Sequence, residues 1–247
     1  MTRRIVVSGG GSGIGRAVAR RLAVDGDRVV IVGRRTPVLE ATAAEINDAV
    51  GDELVTTATA DLTEPAQVHR LAGELAADGA VDVLVNNAGG SPNRSAHGLA
   101  EVADAYQEAF RVNVLTAVLL TEALVPHLTP RAGRIVAVSS IAGLRGAGPY
   151  GAAKAALHGW AMGLAQQLAP QQITVNVVAP GFVPDTGFWA GRLTDEVESA
   201  RVAQIPLGRA GTPDEVAAGI AYLVSPEAGW TTGQILQING GSVLGRG

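Results

Sequence analysis

The chain has 247 residues, 47% of them apolar but only 4% aromatic, and carries a net charge of −4 with no block of like charges. That balance argues against a nucleic-acid surface or a basic membrane anchor, and the absence of cysteine excludes disulfides and thiol chemistry. The length suits a single large α/β domain whose core must be built from Ala, Val, Leu and Gly, as in buried parallel strands under closely fitted helices.

After Met1-Thr2-Arg3-Arg4 only three apolar residues precede the first glycine-rich stretch, too few for a signal peptide. Residues 5–8 read as a strand that stops at Gly9-Gly10-Gly11-Ser12-Gly13-Ile14-Gly15, and helical spacing follows over 16–23. Strand, glycine loop and helix in that order aim free backbone N–H groups and a helix N-terminus at a phosphate. The glycines Gly9, Gly13 and Gly15 give G-x-x-x-G-x-G, which fits neither G-x-G-x-x-G nor, with Arg16-Ala17 next, a Walker A loop. Residues 29–32 make a second strand closing on Gly33-Arg34-Arg35. Where an NAD site carries an acid for the ribose hydroxyls this chain has Gly33, and the two arginines suit the additional phosphate of NADP. Thr36-Pro37 opens a helix as a capping residue followed by proline.

Residues 54–60 form a third strand ending at Asp61-Leu62, with Thr63 as cap of the next helix, and residues 81–85 a fourth ending in Asn86-Asn87-Ala88-Gly89. Each polar cluster falls just after a strand's carboxyl end, where ligands bind in open parallel sheets. Residues 101–128 make a long amphipathic segment containing Asn113, a residue type that competes for helical backbone bonds and so is either tolerated or has a task. No uninterrupted apolar stretch reaches membrane-spanning length, and the expected location is the cytoplasm. His69, His97, His127 and His158 lie far apart without metal-ligand spacing; they read as surface or packing residues, and no metal site is expected.

Residues 134–138 deliver Ser139 and Ser140 to a strand's carboxyl end, and a Gly/Pro-rich loop leads to a helix that opens with Tyr150 and runs to about residue 168. Tyr150 and Lys154 are four apart, so a helix stacks them on one face. An ammonium beside a phenol favours the phenolate and makes tyrosine a usable proton donor or acceptor near neutrality. Residues 173–178 form the next strand, closed by Pro180-Gly181-Phe182-Val183-Pro184-Asp185-Thr186. Residues 187–206 have weak periodicity, carry Phe188, Trp189 and Leu193, and read as a mobile substrate lid. Thr212-Pro213-Asp214-Glu215 is a capping box opening a helix to about 224, and 234–238 is the last strand. The alternation predicts one α/β domain over 1–247, a Rossmann-type doubly wound sheet of about seven parallel strands with helices on both faces.

Taken together, Ser8-Gly9-x3-Gly13-Ile14-Gly15, Asp61, Asn87-Ala88-Gly89, Asn113, Ser140, Tyr150-x3-Lys154, Pro180-Gly181, Thr232-Gly233-Gln234 and Asn239-Gly240-Gly241 resemble the short-chain dehydrogenase/reductase family along the whole chain. The resemblance implies Tyr150 as general acid in carbonyl reduction and base in the reverse direction. It implies Lys154 as the group that lowers the Tyr150 pKa and holds the nicotinamide ribose, Ser140 as donor to the substrate oxygen, and Asn113 as holder of a water linking Lys154 to solvent. The glycine loop with Ser12, Ile14, Asn87, Ala88 and Gly89 would position the dinucleotide, Asp61 and Leu62 the adenine, and Pro180, Gly181, Val183 and Thr186 the nicotinamide end. NADP(H) is favoured over NAD(H) on Arg34 and Arg35. Ser140 precedes Tyr150 by only ten positions, so Ser139 remains an alternative; Ser12 stands where many NADP-preferring relatives carry a basic residue, and Thr186 stands one place late. The implied substrate is a small carbonyl or alcohol, with a carrier-protein-linked 3-oxoacyl group and a homotetramer implied by the most similar subclass and Arg145, Arg192 and Arg201 as docking candidates. Sugar, steroid and secondary-alcohol dehydrogenases share these motifs, and a dinucleotide-binding regulator without turnover is the reading from another class.

Overall fold

The computed structural model describes residues 2–91, 98–189 and 191–245. His97 lies outside the described residues, as does Ala190 within the expected lid. Strands β1 (Arg4–Ser8), β2 (Arg28–Gly33), β3 (Val55–Thr59), β4 (Val83–Asn86), β5 (Arg134–Val138), β6 (Thr174–Pro180) and β7 (Ile235–Ile238) form one sheet in the order 3-2-1-4-5-6-7. Every pairing in it is parallel. The connecting helices are α1 (Gly13–Val24), α2 (Thr36–Val50), α3 (Pro65–Ala77), α4 (Leu99–Phe110), α5 (Thr116–Leu124), α6 (Ala142–Arg145), α7 (Gly148–Leu168), α8 (Asp195–Val202) and α9 (Pro213–Val224).

Side chains alternate across a strand, so β1 sends Ile5 and Val7 to one layer and Val6 to the other. The first layer joins them to Val18 and Leu22 of α1, Leu39 and Ile46 of α2, and Val216 and Ile220 of α9. The second joins Val6, Leu84, Ile135 and Val175 to Leu71 of α3, Leu120 and Leu124 of α5, and Leu164 and Leu168 of α7. Ala in the helices and Val in the strands let the layers approach closely, which accounts for a core with almost no aromatics. The strand order reverses between β1 and β4, so the crevice where parallel α/β sheets bind ligands opens at the carboxyl ends of these two strands.

Several local expectations are corrected. Thr36 does not cap α2; it is the first helical residue, Arg35 holds the cap position, and the Thr36 hydroxyl bonds that of Thr59 at 2.8 Å. Thr63 does not cap α3 either, because the Asp61 carboxylate, a stronger acceptor, takes both its N–H (2.9 Å) and its hydroxyl (2.8 Å). The capping box at Thr212 and Glu215 is present, with both reciprocal bonds made. Val81 is outside β4 and makes an isolated bridge with Leu128. The long amphipathic segment is interrupted by a π-turn, Arg111–Leu115, with Asn113 at its middle. The lid segment is partly regular, holding a 3₁₀ turn at Gly187–Trp189 and then α8, whose cap Thr194 accepts from Val197 N–H.

The run Leu99–His127 is long and apolar enough to cross a membrane by length and composition, although charged residues punctuate it. A core helix meets the same test, and Ala109, Ala117, Leu120 and Leu124 of this run are all under 5% exposed.

Candidate active site

The glycine loop is shaped by what surrounds it. Gly9 turns the chain at φ +66°, a conformation that favours glycine, and its N–H donates to Val32 C=O at 2.7 Å. A Cβ on Gly15 would fall 2.3 Å from the Gly9 carbonyl oxygen and 2.5 Å from Asn87 Nδ2, so the first turn of α1 lies directly under the loop only because that residue has no side chain. Asn87 Nδ2 donates to the carbonyls of Ser8 and Gly9, each at 3.1 Å, while Ser8 Oγ accepts from the N–H groups of Asn87 and Ala88, each at 3.0 Å. Asn87 therefore holds the loop itself. Ser8, fully buried at the end of β1, opens the motif read from the sequence but has no role of its own there; its signal is a hydroxyl closing an apolar strand.

Ser12 sits at the N-cap of α1 but its side chain makes no capping bond and is exposed, so the first-turn N–H groups are left to an external acceptor. Thr186 lies against the same turn, within 3.1 Å of where a Gly13 Cβ would be, and its hydroxyl donates to Val183 C=O at 3.2 Å. Val183 is buried and Ile14 packs onto the first core layer. Pro180 and Gly181 are fixed between neighbours, since Ile141 N–H donates to Pro180 C=O (3.0 Å) and Gly181 N–H to Ile238 C=O (2.8 Å). A glycine cradle beside an uncapped helix N-terminus fits the pyrophosphate of a dinucleotide.

At the end of β2, Arg34 and Arg35 are exposed. Asp61 is half-buried, and its carboxyl is held below the ordinary range by the Thr63 N–H and hydroxyl, with Arg34 and Arg111 adding attraction. Leu62 is buried beside it. Sequence-distant residues thus meet at the crevice: two arginines, an acid and an apolar residue from the ends of β2 and β3.

The other end of the crevice gathers Asn113, Lys154 and Tyr150. Asn113 is 1% exposed; its amide donates to Gly90 C=O (2.8 Å) and Ala109 C=O (3.0 Å), and its Oδ1 accepts from Gly90 N–H (3.2 Å). Asn113 stands at the middle of the π-turn Arg111–Leu115, and such turns recur at functional sites. A Cβ on Gly89 would meet Asn113 Oδ1 at 2.5 Å and Lys154 Nζ at 3.3 Å, so amide and ammonium converge on one glycine. Lys154 is buried and donates from Nζ to Val138 C=O at 2.8 Å; burial lowers its pKa to about 8. Nζ is 5.9 Å from the centre of the Tyr150 ring, a cation over an aromatic face.

Both serines are at the end of β5 but differ in circumstance. Ser139 is buried, and its hydroxyl is engaged by Lys154 C=O at 2.9 Å and His158 Nε2 at 2.8 Å. Ser140 is half-buried and its Oγ accepts from Ala142 N–H at 3.1 Å, opening α6, a helix not expected from the sequence. Of the two readings the sequence left for His158, surface or packing, the structure has the second, with a hydrogen bond to Ser139 added. The same four-residue spacing that joined Tyr150 to Lys154 extends to His158.

Over this end lies the aromatic part of the lid segment. Phe188 packs on Tyr150 with ring centres 5.3 Å apart, Trp189 packs edge-on against Phe188 and Phe182, and Arg192 and Arg201 stack on Phe188 and Trp189.

A parallel sheet in this order, with a glycine cradle at its switch point and a Tyr-Lys pair at the next strand ends, defines a nucleotide-dependent oxidoreductase of the doubly wound type. A family model described as enoyl-(acyl carrier protein) reductase matches residues 9–242, and the chain belongs to the short-chain dehydrogenase/reductase family. It is 38% identical to nodulation protein G of Rhizobium sp. (strain N33), over 98% of this chain and 97% of that one. It is 36% identical to the 3-oxoacyl-[acyl-carrier-protein] reductase FabG of Vibrio cholerae, over 97% of this chain and 96% of that one. Among solved structures it resembles the Pseudomonas aeruginosa RhlG/NADP active-site complex, with a TM-score of 0.86 and 33% identity over 98% of this chain and 96% of that one.

Proposed function

We propose that this protein is an NADP(H)-dependent reductase that converts a ketone or 3-oxoacyl group to a secondary alcohol, reversibly. The observation that carries the reading is the convergence of Tyr150, Lys154 and Asn113 at the strand ends beside a glycine cradle. When bound, NADPH supplies the hydride. The cradle of Gly9, Gly13 and Gly15 with the N-terminus of α1 would hold the pyrophosphate, Asp61 and Leu62 the adenine, and Val183 and Thr186 the carboxamide. Ser140, whose hydroxyl is not committed to the helix behind it as that of Ser139 is, donates to the substrate oxygen. Tyr150 gives that oxygen its proton as negative charge grows on it. Lys154 favours the resulting phenolate, and Asn113 holds a water through which the proton is replaced.

Two further features support finer parts of the reading. The similarity to a 3-oxoacyl-[acyl-carrier-protein] reductase favours a carrier-linked substrate, for which Arg145 at the end of α6 and Arg192 and Arg201 within the lid are exposed. The exposed apolar stripe Leu99, Val102, Tyr106 and Phe110 on α4, with Met162 on α7, suits a two-fold pairing of these helices; a cytoplasmic homotetramer is the assembly expected by analogy with the family. Light scattering is expected to give four times the chain mass; the monomer mass rejects the assembly.

The test is NADPH oxidation followed by absorbance with 3-oxoacyl thioesters, cyclic ketones and keto-sugars. Turnover on any class supports the reading and ranks the alternatives, and tight NADPH binding without turnover on all of them favours a regulator. Arg34→Ala is expected to weaken NADPH by about ten- to a hundredfold, the worth of a charge-assisted bond to the phosphate, with NADH changed less than about threefold. Equal losses for both, read by fluorescence titration, would make Arg34 structural.

A further inference from the structure

His158 is a buried titratable group that the mechanism above does not use. It lies one helical turn beyond Lys154 on α7, 9% exposed, with Nε2 2.8 Å from Ser139 Oγ. The direction of that bond is fixed by the neighbouring one. The Lys154 carbonyl can only accept, so the single hydroxyl proton of Ser139 goes to it, at 2.9 Å, and the Ser139 oxygen must accept from the imidazole. His158 is therefore protonated at Nε2.

Three elements meet at this pair of bonds. Ser139 is held to β6 by its N–H, which donates to Val178 C=O at 2.8 Å, and the next residue is Ser140. Helix α6 closes over the same point, since a Cβ on Gly143 would be 2.9 Å from the Lys154 carbonyl carbon and 3.1 Å from His158 Cε1. We infer that His158 is a positioning residue: as a neutral Nε2–H donor it locks Ser139, and through it fixes the strand end bearing Ser140 against the helix turn bearing Lys154. The inference rests on the function proposed above for those two residues.

Neutrality is part of the arrangement. What faces the imidazole from β5 is the Ser139 hydroxyl and from α6 is Gly143, and the charged group acting on it among the described residues is Lys154 on its own helix. Burial and that ammonium both hold the His158 pKa below the ordinary imidazole value of 6.5. Protonation in acid would put a second cation one turn from Lys154 in a site without a carboxylate among those contacts.

The experiment compares His158→Gln, whose amide can still donate to Ser139 but does not titrate, with His158→Leu and Ser139→Ala. Near pH 7.5, His158→Leu and Ser139→Ala are each expected to lower kcat about ten- to fiftyfold while NADPH affinity stays within about twofold, with the double variant no worse than either single one. His158→Gln is expected to recover kcat to within about threefold of the parent and to lose the decline the parent shows as the pH falls below the ordinary imidazole range. Equal behaviour of the Gln and Leu variants, or no change in kcat in any variant, overturns the inference. Nitrogen NMR of the ligand-free protein is independent of turnover. An Nε2–H tautomer at neutral pH is expected, and an Nδ1–H tautomer or an imidazolium overturns the inference. If the parent reduces no ketone, the proposed function fails and this spectrum alone decides the role of His158.

Discussion

Tyr150→Phe is expected to lower turnover by roughly 10²- to 10⁴-fold, the contribution of a positioned general acid, while NADPH affinity changes less than about twofold. The two expectations separate because the hydroxyl and the ring do different things. The ring is held by Phe188 at 5.3 Å and lies 5.9 Å from the Lys154 ammonium, and phenylalanine preserves both contacts. Only the proton donor is removed. With the acid absent, the growing charge on the substrate oxygen is met by Ser140 alone, so kcat and kcat/KM should fall together, the pattern of an interaction made in the transition state. Steady-state rates with the best ketone of the panel and a fluorescence titration with NADPH check both halves. Activity within tenfold of the parent would place the acid elsewhere, and a large loss of NADPH affinity would make Tyr150 part of the cofactor site first.

The sheet was legible in the sequence because its signals are local: short apolar runs of Val and Ile, each stopping at glycines or at a polar pair. Ser139-Ser140, Asn87-Ala88-Gly89 and Asp61-Leu62 could be assigned to strand ends for the same reason, and parallel topology then brings strand ends together. What stayed hidden depends on partners distant in the chain. Thr63 looked like a helix cap, but Asp61 competes for its hydroxyl more strongly. Asn113 reads from its neighbours as a residue within one long helix, whereas it lies in a π-turn and its side chain bonds Gly90, twenty-three positions away, as well as Ala109. Asn87 was assigned to the dinucleotide, and the contacts formed by its amide go to the loop that would carry the dinucleotide. His158 has no metal-ligand spacing to mark it in the sequence, and its partner Ser139 is nineteen positions away.

Lys154→Met is expected to abolish turnover and, at the same time, to make the folded protein more stable. The parent carries a buried amine whose pKa is lowered by burial from the ordinary 10.5 to about 8. Near neutrality the amine is charged in both folded and unfolded states, so the depressed pKa represents a cost to the folded state of about 3 kcal/mol. Methionine has a similar reach and no charge, and removes that cost. Against this, the Val138 carbonyl loses the donor it now has at 2.8 Å, a penalty of about 1–2 kcal/mol. The net expectation at pH 7 is a gain of about 1–2 kcal/mol, read by urea unfolding of the cofactor-free protein. The sign of the pH dependence follows from linkage. Between about pH 8 and 10.5 the unfolded amine still holds the proton that the folded one has released, so the parent's relative stability rises through that window. The variant's advantage should therefore be constant below about pH 8 and shrink as the pH approaches 10.5, other alkaline titrations cancelling in the comparison. A variant less stable than the parent at pH 7, or a difference that does not change with pH, would show that the ammonium is stabilised where it lies, by contacts stronger than one carbonyl. A gain in stability together with loss of turnover would identify a charge retained at an energetic cost because the reaction needs it there.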